Sequence, residues 1–190
     1  MKQDIILAGV GGQGILSIAF VIDHAALKEG FNLKQAEVHG MAQRGGAVQS
    51  HLRLSREPIY SDLIPRGEAD VILSVEPLEA LRYADYLHPQ GRIITSSVPM
   101  VNIQNYPELE EILAKVRAFP GNITVDAAAL AREAGSSRAQ NMVMLGAASS
   151  FLMLEKENLR EFVTALFERR GTQLVETNLK AFELGCRAAV

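Results

Sequence analysis

Asp4-Ile-Ile-Leu-Ala8 is a short, largely apolar run that leads straight into Gly9-Val-Gly-Gly-Gln-Gly14 and then into Ile15 to Lys28, apolar almost all round. The first run suits a strand covered on both faces, and the stretch after the glycines suits a buried helix. A buried strand joined to a buried helix needs a sheet with helices laid over it. The chain is therefore expected to be an α/β protein. Gly30 closes the helix and Leu33 to Val38 reads as a second strand, which starts a β-α-β unit with the usual right-handed crossover.

The same periodicities organise the rest. A polar, glycine-marked loop, His39 to Gly46, precedes a strand at Ala47 to Leu54 and a turn at Ser55-Arg-Glu-Pro58. The short Ile59-Tyr60 run is placed to hairpin with that strand. Asp70 to Val75 and Gly91 to Ser96 read as strands, separated by a helix opening at Glu76-Pro77 and running to about Leu87. Tyr106 to Phe119 carries Leu109, Ile112, Leu113 and Val116 at the spacing of a one-sided helix. Asn122 to Val125 is a short strand, and from Asp126 onward the chain reads as helical. Asn141 is expected to cap a buried helix, Met142 to Leu154. Apolar stripes follow at Leu159, Phe162, Val163, Leu166 and Phe167, and at Val175, Leu179, Phe182 and Cys186. The expected architecture is a single domain over residues 1–190, with a mostly parallel sheet in a three-layer arrangement and a helical C-terminal third.

Composition removes several classes of function. The net charge is −3 with no basic cluster, which argues against nucleic acid and against an anionic membrane surface. The longest uncharged apolar stretch is too short for a membrane span of about 20 residues. The opening Met-Lys-Gln-Asp enters a strand at once, so no leader peptide is expected, and one cysteine, Cys186, fits a reducing cytoplasm. A single thiol also cannot hold an iron–sulfur cluster, which takes about four. No His, Cys and carboxylate set has metal-ligand spacing, and no serine sits in a nucleophile elbow. No catalytic residue and no metal site are expected on this chain.

Gly9, Gly11 and Gly14 fit G-x-G-x-x-G between a strand and a helix, where glycines allow a tight turn and a helix N-terminus offers N–H groups to an anion. Glu37 lies 23 residues after Gly14, near the spacing of a ribose-holding acid, so a small NAD(P)-dependent oxidoreductase stays open. So does a plain structural turn, and so does a nucleotide- or CoA-binding module without catalysis. Gly12 and Gln13 extend the loop to Gly-Gly-Gln-Gly, which counts against NAD in particular. A second segment, Glu37-Val-His-Gly-Met-Ala-Gln-Arg-Gly-Gly46, sets Glu37, His39, Gln43 and Arg44 among Gly40, Gly45 and Gly46. Arg44 offers a planar fork for carboxylate or phosphate, or for a structural pairing with Glu37. His39 and His51 read as satisfied core or rim histidines before they read as bases. Both glycine segments follow strands, so both are placed to line one crevice at the carboxyl ends of a sheet.

Together with Val48-Gln-Ser-His-Leu-Arg53 and Asn141-Met-Val-Met-Leu-Gly146, these segments resemble, along essentially the whole chain, the gamma-type domain of pyruvate and ketoisovalerate:ferredoxin oxidoreductases. The wording of residues 37–46 is most similar to the beta subunit of indolepyruvate:ferredoxin oxidoreductases. The resemblance implies a Rossmann-like fold and a place in an enzyme that decarboxylates a 2-oxoacid oxidatively to its acyl-CoA, with electrons passing to ferredoxin. It implies thiamine diphosphate and [4Fe–4S] clusters on a larger partner subunit, with CoA as co-substrate. The chain contains no Gly-Asp-Gly of a thiamine-diphosphate signature, so no such cofactor is expected on it, and the isolated chain is expected to be inactive. Backbone N–H groups of Gly9, Gly11, Gly12, Gln13 and Gly14 are the expected contacts for a CoA phosphate or another anion. Glu37, His39, Gln43, Arg44, Gly45, Gly46 and Asn141 are the expected substrate or partner contacts. Whether the chain dimerises in isolation is left open.

Overall fold

The computed structural model describes residues 1–39 and 45–189, with His39 described in its main chain only. Its sheet contains β1 (Lys2–Val10), β2 (Asn32–His39), β3 (Ala47–Ser55), β4 (Ala69–Ser74), β5 (Leu87–Ser96) and β6 (Ile123–Val125) in the order β2-β3-β1-β4-β5-β6. The β1–β4, β4–β5 and β5–β6 pairs are parallel, whereas β3 runs antiparallel to both of its neighbours. The expected mostly parallel α/β sheet is therefore observed, with one amendment at its start. The crossover through α1 (Ile15–Lys28) does not place β2 beside β1, because β3 folds back between them.

Side-chain alternation on β1 divides the interior in two. Ile5 and Leu7 join a large core with Leu52 and Leu54 of β3, under α1, α4 (Ala127–Ala134), α5 (Gln140–Ala148), α6 (Lys156–Phe167) and α7 (Thr172–Ala188). Ile6 faces the other way, with Ile72 and Ile93, under α2 (Pro77–Arg82) and α3 (Leu109–Arg117). Both faces of β1 are covered, which is why it reads as a continuous apolar run rather than an alternating one.

Side-chain caps set the starts of α2 and α4. Pro77 follows Glu76, whose carboxylate accepts from Glu79 N–H at 2.8 Å and so caps α2. Asp126 caps α4 in the same way, accepting from Ala129 N–H at 2.8 Å. The helix expected to reach Leu87 stops at Arg82, since a tight turn at Ala84–Tyr86 delivers the chain to β5 beginning at Leu87. Ile59 and Tyr60 form no strand; β3 takes β2 as its hairpin partner, the longer run with matching alternation. Asn141 is not an N-cap. The turn Ser137–Ala139 already winds the chain toward helix, so α5 starts at Gln140 and Asn141 falls in its first turn. That helix also ends earlier than expected, at Ala148.

One charged pair crosses the sheet. Asp4 is wholly buried and takes a bidentate grip from Arg53 directly opposite, at 2.8 and 3.0 Å. The Arg53 guanidinium also donates to the Ser61 and Leu63 carbonyls at 3.1 and 3.0 Å, fastening the loop after β3. Arg53→Ala should cost about 2 kcal/mol, because the buried carboxylate loses its bidentate partner and keeps only the half-exposed Lys2 ammonium, 2.8 Å away. Urea unfolding at neutral pH reads that loss.

Candidate functional site at the carboxyl ends of β1, β4 and β5

The chain leaves β1 toward one edge of the sheet and β4 toward the other, so β1 and β4 flank the point where the strand order reverses. Open sheets of this kind have their crevice there. A cleft of about 450 Å³ occupies it, lined by Gly12 and Gln13 after β1, Val75 after β4, residues 98–100 after β5, and Ser137, Arg138 and Gln140 at the entry to α5.

The glycine loop forms the floor of this cleft, and its residues are not interchangeable. A Cβ on Gly9 would lie 2.7 Å from Ile15 Cδ1. Gly14 has φ of 80° and begins α1, and a Cβ there would lie 2.4 Å from Asn141 Nδ2. Gln13 closes the turn with its own side chain, its Oε1 accepting from Val10 N–H at 2.7 Å. No side chain caps α1 and no acidic residue stands in its first turn, so nothing in the helix itself offsets the positive end of its dipole. Asn141 Nδ2 donates to the Gly14 carbonyl at 3.3 Å, bringing the start of α5 against the start of α1.

The two glycine segments touch, but Gly45 and Gly46 do not line the cleft, where both segments were expected. Gly11 N–H donates to the Gly46 carbonyl at 2.8 Å and Gly45 N–H to the Gly11 carbonyl at 3.3 Å. Gln43 and Arg44 lie outside the described residues, as does the side chain of His39. Glu37 is half-buried in β2 opposite Ser50, which is itself opposite Leu7. It therefore stands level with the middle of β1 and across β3 from it, roughly 10 Å away at two strand spacings. A ribose-holding acid belongs beside the glycine loop, so the dinucleotide spacing in the sequence has no counterpart in space. His51 is buried, with Nδ1 accepting from Ile64 N–H at 3.1 Å, and burial with the nearby Arg53 lowers its pKa. It is a satisfied core histidine.

Arg138, Glu76 and the loop after β5 were not singled out in the sequence. Arg138 is exposed at the cleft and, among the described residues, is the one charged side chain lining it and has no ion pair. Its signal was the polar Gly135-Ser-Ser-Arg138 turn ahead of a buried helix. Glu76 is buried, and beyond capping α2 its carboxylate accepts from the Tyr106 hydroxyl and, at 3.4 Å, from Met100 N–H. Burial and this hydrogen bond push the Tyr106 phenol up, so it stays protonated and donates. Glu76 thereby ties the end of β4 to the wall of the cleft, a link across 30 positions that no local pattern announces.

The family model for pyruvate ferredoxin/flavodoxin oxidoreductase matches residues 4–188. The chain belongs to that family. The indolepyruvate oxidoreductase subunit IorB of Pyrococcus horikoshii is 40% identical over 200 residues, spanning 100% of this chain and 97% of that protein. Among solved structures, the gamma subunit of a keto/oxoacid ferredoxin oxidoreductase from Geobacter sulfurreducens superposes with a TM-score of 0.75 at 23% identity, over 100% of this chain and 97% of that one. The 2-oxoglutarate:ferredoxin oxidoreductase of Magnetococcus marinus, solved with 2-oxoglutarate, coenzyme A and succinyl-CoA bound, superposes with a TM-score of 0.79 at 23% identity. It covers 99% of this chain, but this chain spans only 31% of that one. These findings bear out the expected family and fold: this oxidoreductase chain is a subunit of a 2-oxoacid:ferredoxin oxidoreductase complex. Its one cysteine, half-buried with Sγ 3.3 Å from Ser149 Oγ, does not fit the thiolate set of an iron–sulfur cluster. No helix among the described residues is long and apolar enough to cross a membrane.

Proposed function

We propose that this chain holds coenzyme A for an indolepyruvate:ferredoxin oxidoreductase, with the cleft at β1, β4 and β5 taking the phosphates. The reaction joins the acyl group left after decarboxylation of the 2-oxoacid to the CoA sulfur, while electrons pass to ferredoxin. Indolepyruvate is the substrate in the name of the relative at 40% identity. Thiamine diphosphate and iron–sulfur clusters, held by a larger partner subunit, supply the decarboxylation and electron transfer. This chain's residues bind and orient the thiol carrier.

The observation that carries the reading is the chemistry of the cleft lining. Arg138, Gly12 of the glycine loop and two helix entries converge on one space, Gln13 N–H being already given to the Val10 carbonyl, and no carboxylate lines it among the described residues. That set suits an anion. On the opposite wall Val75, Val98, Pro99 and Met100 offer an apolar surface for the pantetheine arm. Gly45 and Gly46 buttress the glycine loop, and Glu37, His39, Gln43 and Arg44 follow as contacts to substrate or partner. Asn141 keeps the two helix starts together.

Calorimetric titration of the isolated chain with CoA, dephospho-CoA and NAD tests the reading. CoA should bind and NAD should not. Arg138→Gln should weaken CoA about tenfold, the worth of roughly 1.4 kcal/mol for one solvent-exposed charge-assisted contact. Tighter binding of NAD than of CoA, or an unchanged CoA affinity in the variant, would overturn it.

A further inference from the structure

The loop between β5 and α3 combines exposed apolar side chains, a complete lack of charge and a rigid attachment. Between Arg92 and Glu108 no residue is charged, in a chain of which 22% is. Within that span Val101 is 68% exposed, Ile103 45% and Met100 39%. The opposite end of the sheet also exposes apolar side chains, Tyr60 and Leu63. There they sit among Arg56, Glu57, Asp62, Arg66 and Glu68, as an ordinary solvated loop does.

A free loop of this composition would turn its apolar groups inward. This one is held where it is. Val98 N–H donates to Ser96 Oγ at 3.1 Å, Met100 N–H and the Tyr106 hydroxyl donate to the buried Glu76, and Asn102 Nδ2 donates to the Gly45 carbonyl at 2.7 Å. Anchors at both ends and in the middle present Val101 and Ile103 outward at little further entropic cost, as a preformed interface does. The charge-free core of an interface also requires an uncharged surface opposite, since an unpaired charge buried there is strongly unfavourable.

What covers the loop follows from the cleft it walls, and this step rests on the function proposed above. Residues 98–100 are both cleft lining and loop. A CoA molecule with its phosphates on the glycine loop must deliver its sulfur to an acyl group on another chain, so that chain has to abut the mouth of this cleft. In the Magnetococcus marinus enzyme the fold of this chain is about a third of a longer polypeptide, whereas in the Geobacter sulfurreducens protein it is a whole subunit. The same fold thus occurs both joined to further protein and free of it. We propose that the neutral loop 97–107, clamped by Glu76 and Asn102 beside the cleft, is the docking surface for the larger, cofactor-bearing subunit. The facing patch on that subunit is apolar and uncharged.

The test uses both full-length subunits and the double variant Val101→Asp/Ile103→Asp, with Tyr60→Asp as the control at the far end. Melting temperature and CoA affinity are measured first on each isolated chain. The double variant should keep both, yet bind the larger subunit at least about a hundredfold more weakly, on the scale of central apolar hot spots. Tyr60→Asp should bind like the wild type. Should the double variant misfold, amide exchange on the wild type decides instead, with protection of residues 97–105 expected on complex formation. Wild-type affinity in the double variant, or unchanged exchange in the complex, would sink the proposal. So would a wild-type homodimer that the double variant disrupts while still binding the larger subunit. Failure of the wild-type chain to bind CoA would instead remove the proposed function and leave the interface measurement standing.

Discussion

Gly185→Ala should destabilise the protein by about 3 kcal/mol or more, a large effect for a single added methyl. In an ordinary helix interior the same change is worth about 1 kcal/mol in the opposite direction, because alanine is the better helix former. The sign reverses here because α7 crosses α5 backbone to backbone. A Cβ on Gly185 would stand 1.9 Å from the Val143 carbonyl oxygen, and one on Gly146 would stand 2.0 Å from the Phe182 carbonyl oxygen. Neither obstacle is a flexible side chain, so the helices must separate and uncover the core that Met142, Met144 and Phe182 share. Urea unfolding measures the loss. Gly146→Ala should behave alike, and the double variant should cost clearly less than the sum, since one separation accommodates both methyls. Strict additivity would mean that the two contacts yield independently and that the crossing is not the cause.

Asp23→Asn should stabilise the protein at pH 8 by up to about 4 kcal/mol, with the gain vanishing toward pH 4. Asp23 lies in α1 with Oδ1 buried and no hydrogen-bond partner among the described residues. Burial pushes its carboxyl from 3.8 up to about 7. The folded state therefore holds a proton that the unfolded chain has released throughout the interval from about 4 to 7. Wild-type stability falls as pH rises through that window and levels off above it, where the buried charge is paid for in full. Asparagine does not titrate, so the variant should lack this slope. Thermal or urea unfolding from pH 4 to 8 separates the curves; parallel curves would show that Asp23 is not the group responsible.

Much of this protein could be read one residue at a time. The apolar run of β1, the glycine turn and the buried α1 stand where local pattern puts them, because both faces of a central strand and all sides of a covered helix must be apolar. Boundaries slipped where two local signals competed. Asn141 is a good cap residue, but the turn at Ser137–Ala139 had already begun the winding, and its amide was taken by Gly14. Ile59-Tyr60 has strand-like residues, but two residues cannot compete with the eight of β2 for the edge of β3.

The dinucleotide-like spacing shows the limit most clearly. Gly9, Gly11, Gly14 and Glu37 satisfy a one-dimensional rule, and the insertion of β3 between β1 and β2 voids it in three dimensions. Strand order is a property of which runs find each other, and alternation of apolar residues is equally content with either neighbour. The cleft obeys the same logic. Gly14 and Asn141 are 127 positions apart, and Glu76 reaches Tyr106 across 30.

Periodicity and the glycine turn were enough to expect an α/β chain. The resemblance carried by the two glycine segments and their neighbours pointed to the oxidoreductase family that the family model then showed, and composition left a single thiol that cannot carry a cluster. Those properties depend on each residue's own preferences and its near neighbours. The antiparallel insertion of β3, the glycine-to-glycine crossing of α5 and α7, and the recruitment of Arg138 and residues 98–100 to one cleft came only with the fold. Each is a contact between distant parts of the chain, and its energy exists only once the chain has closed on itself.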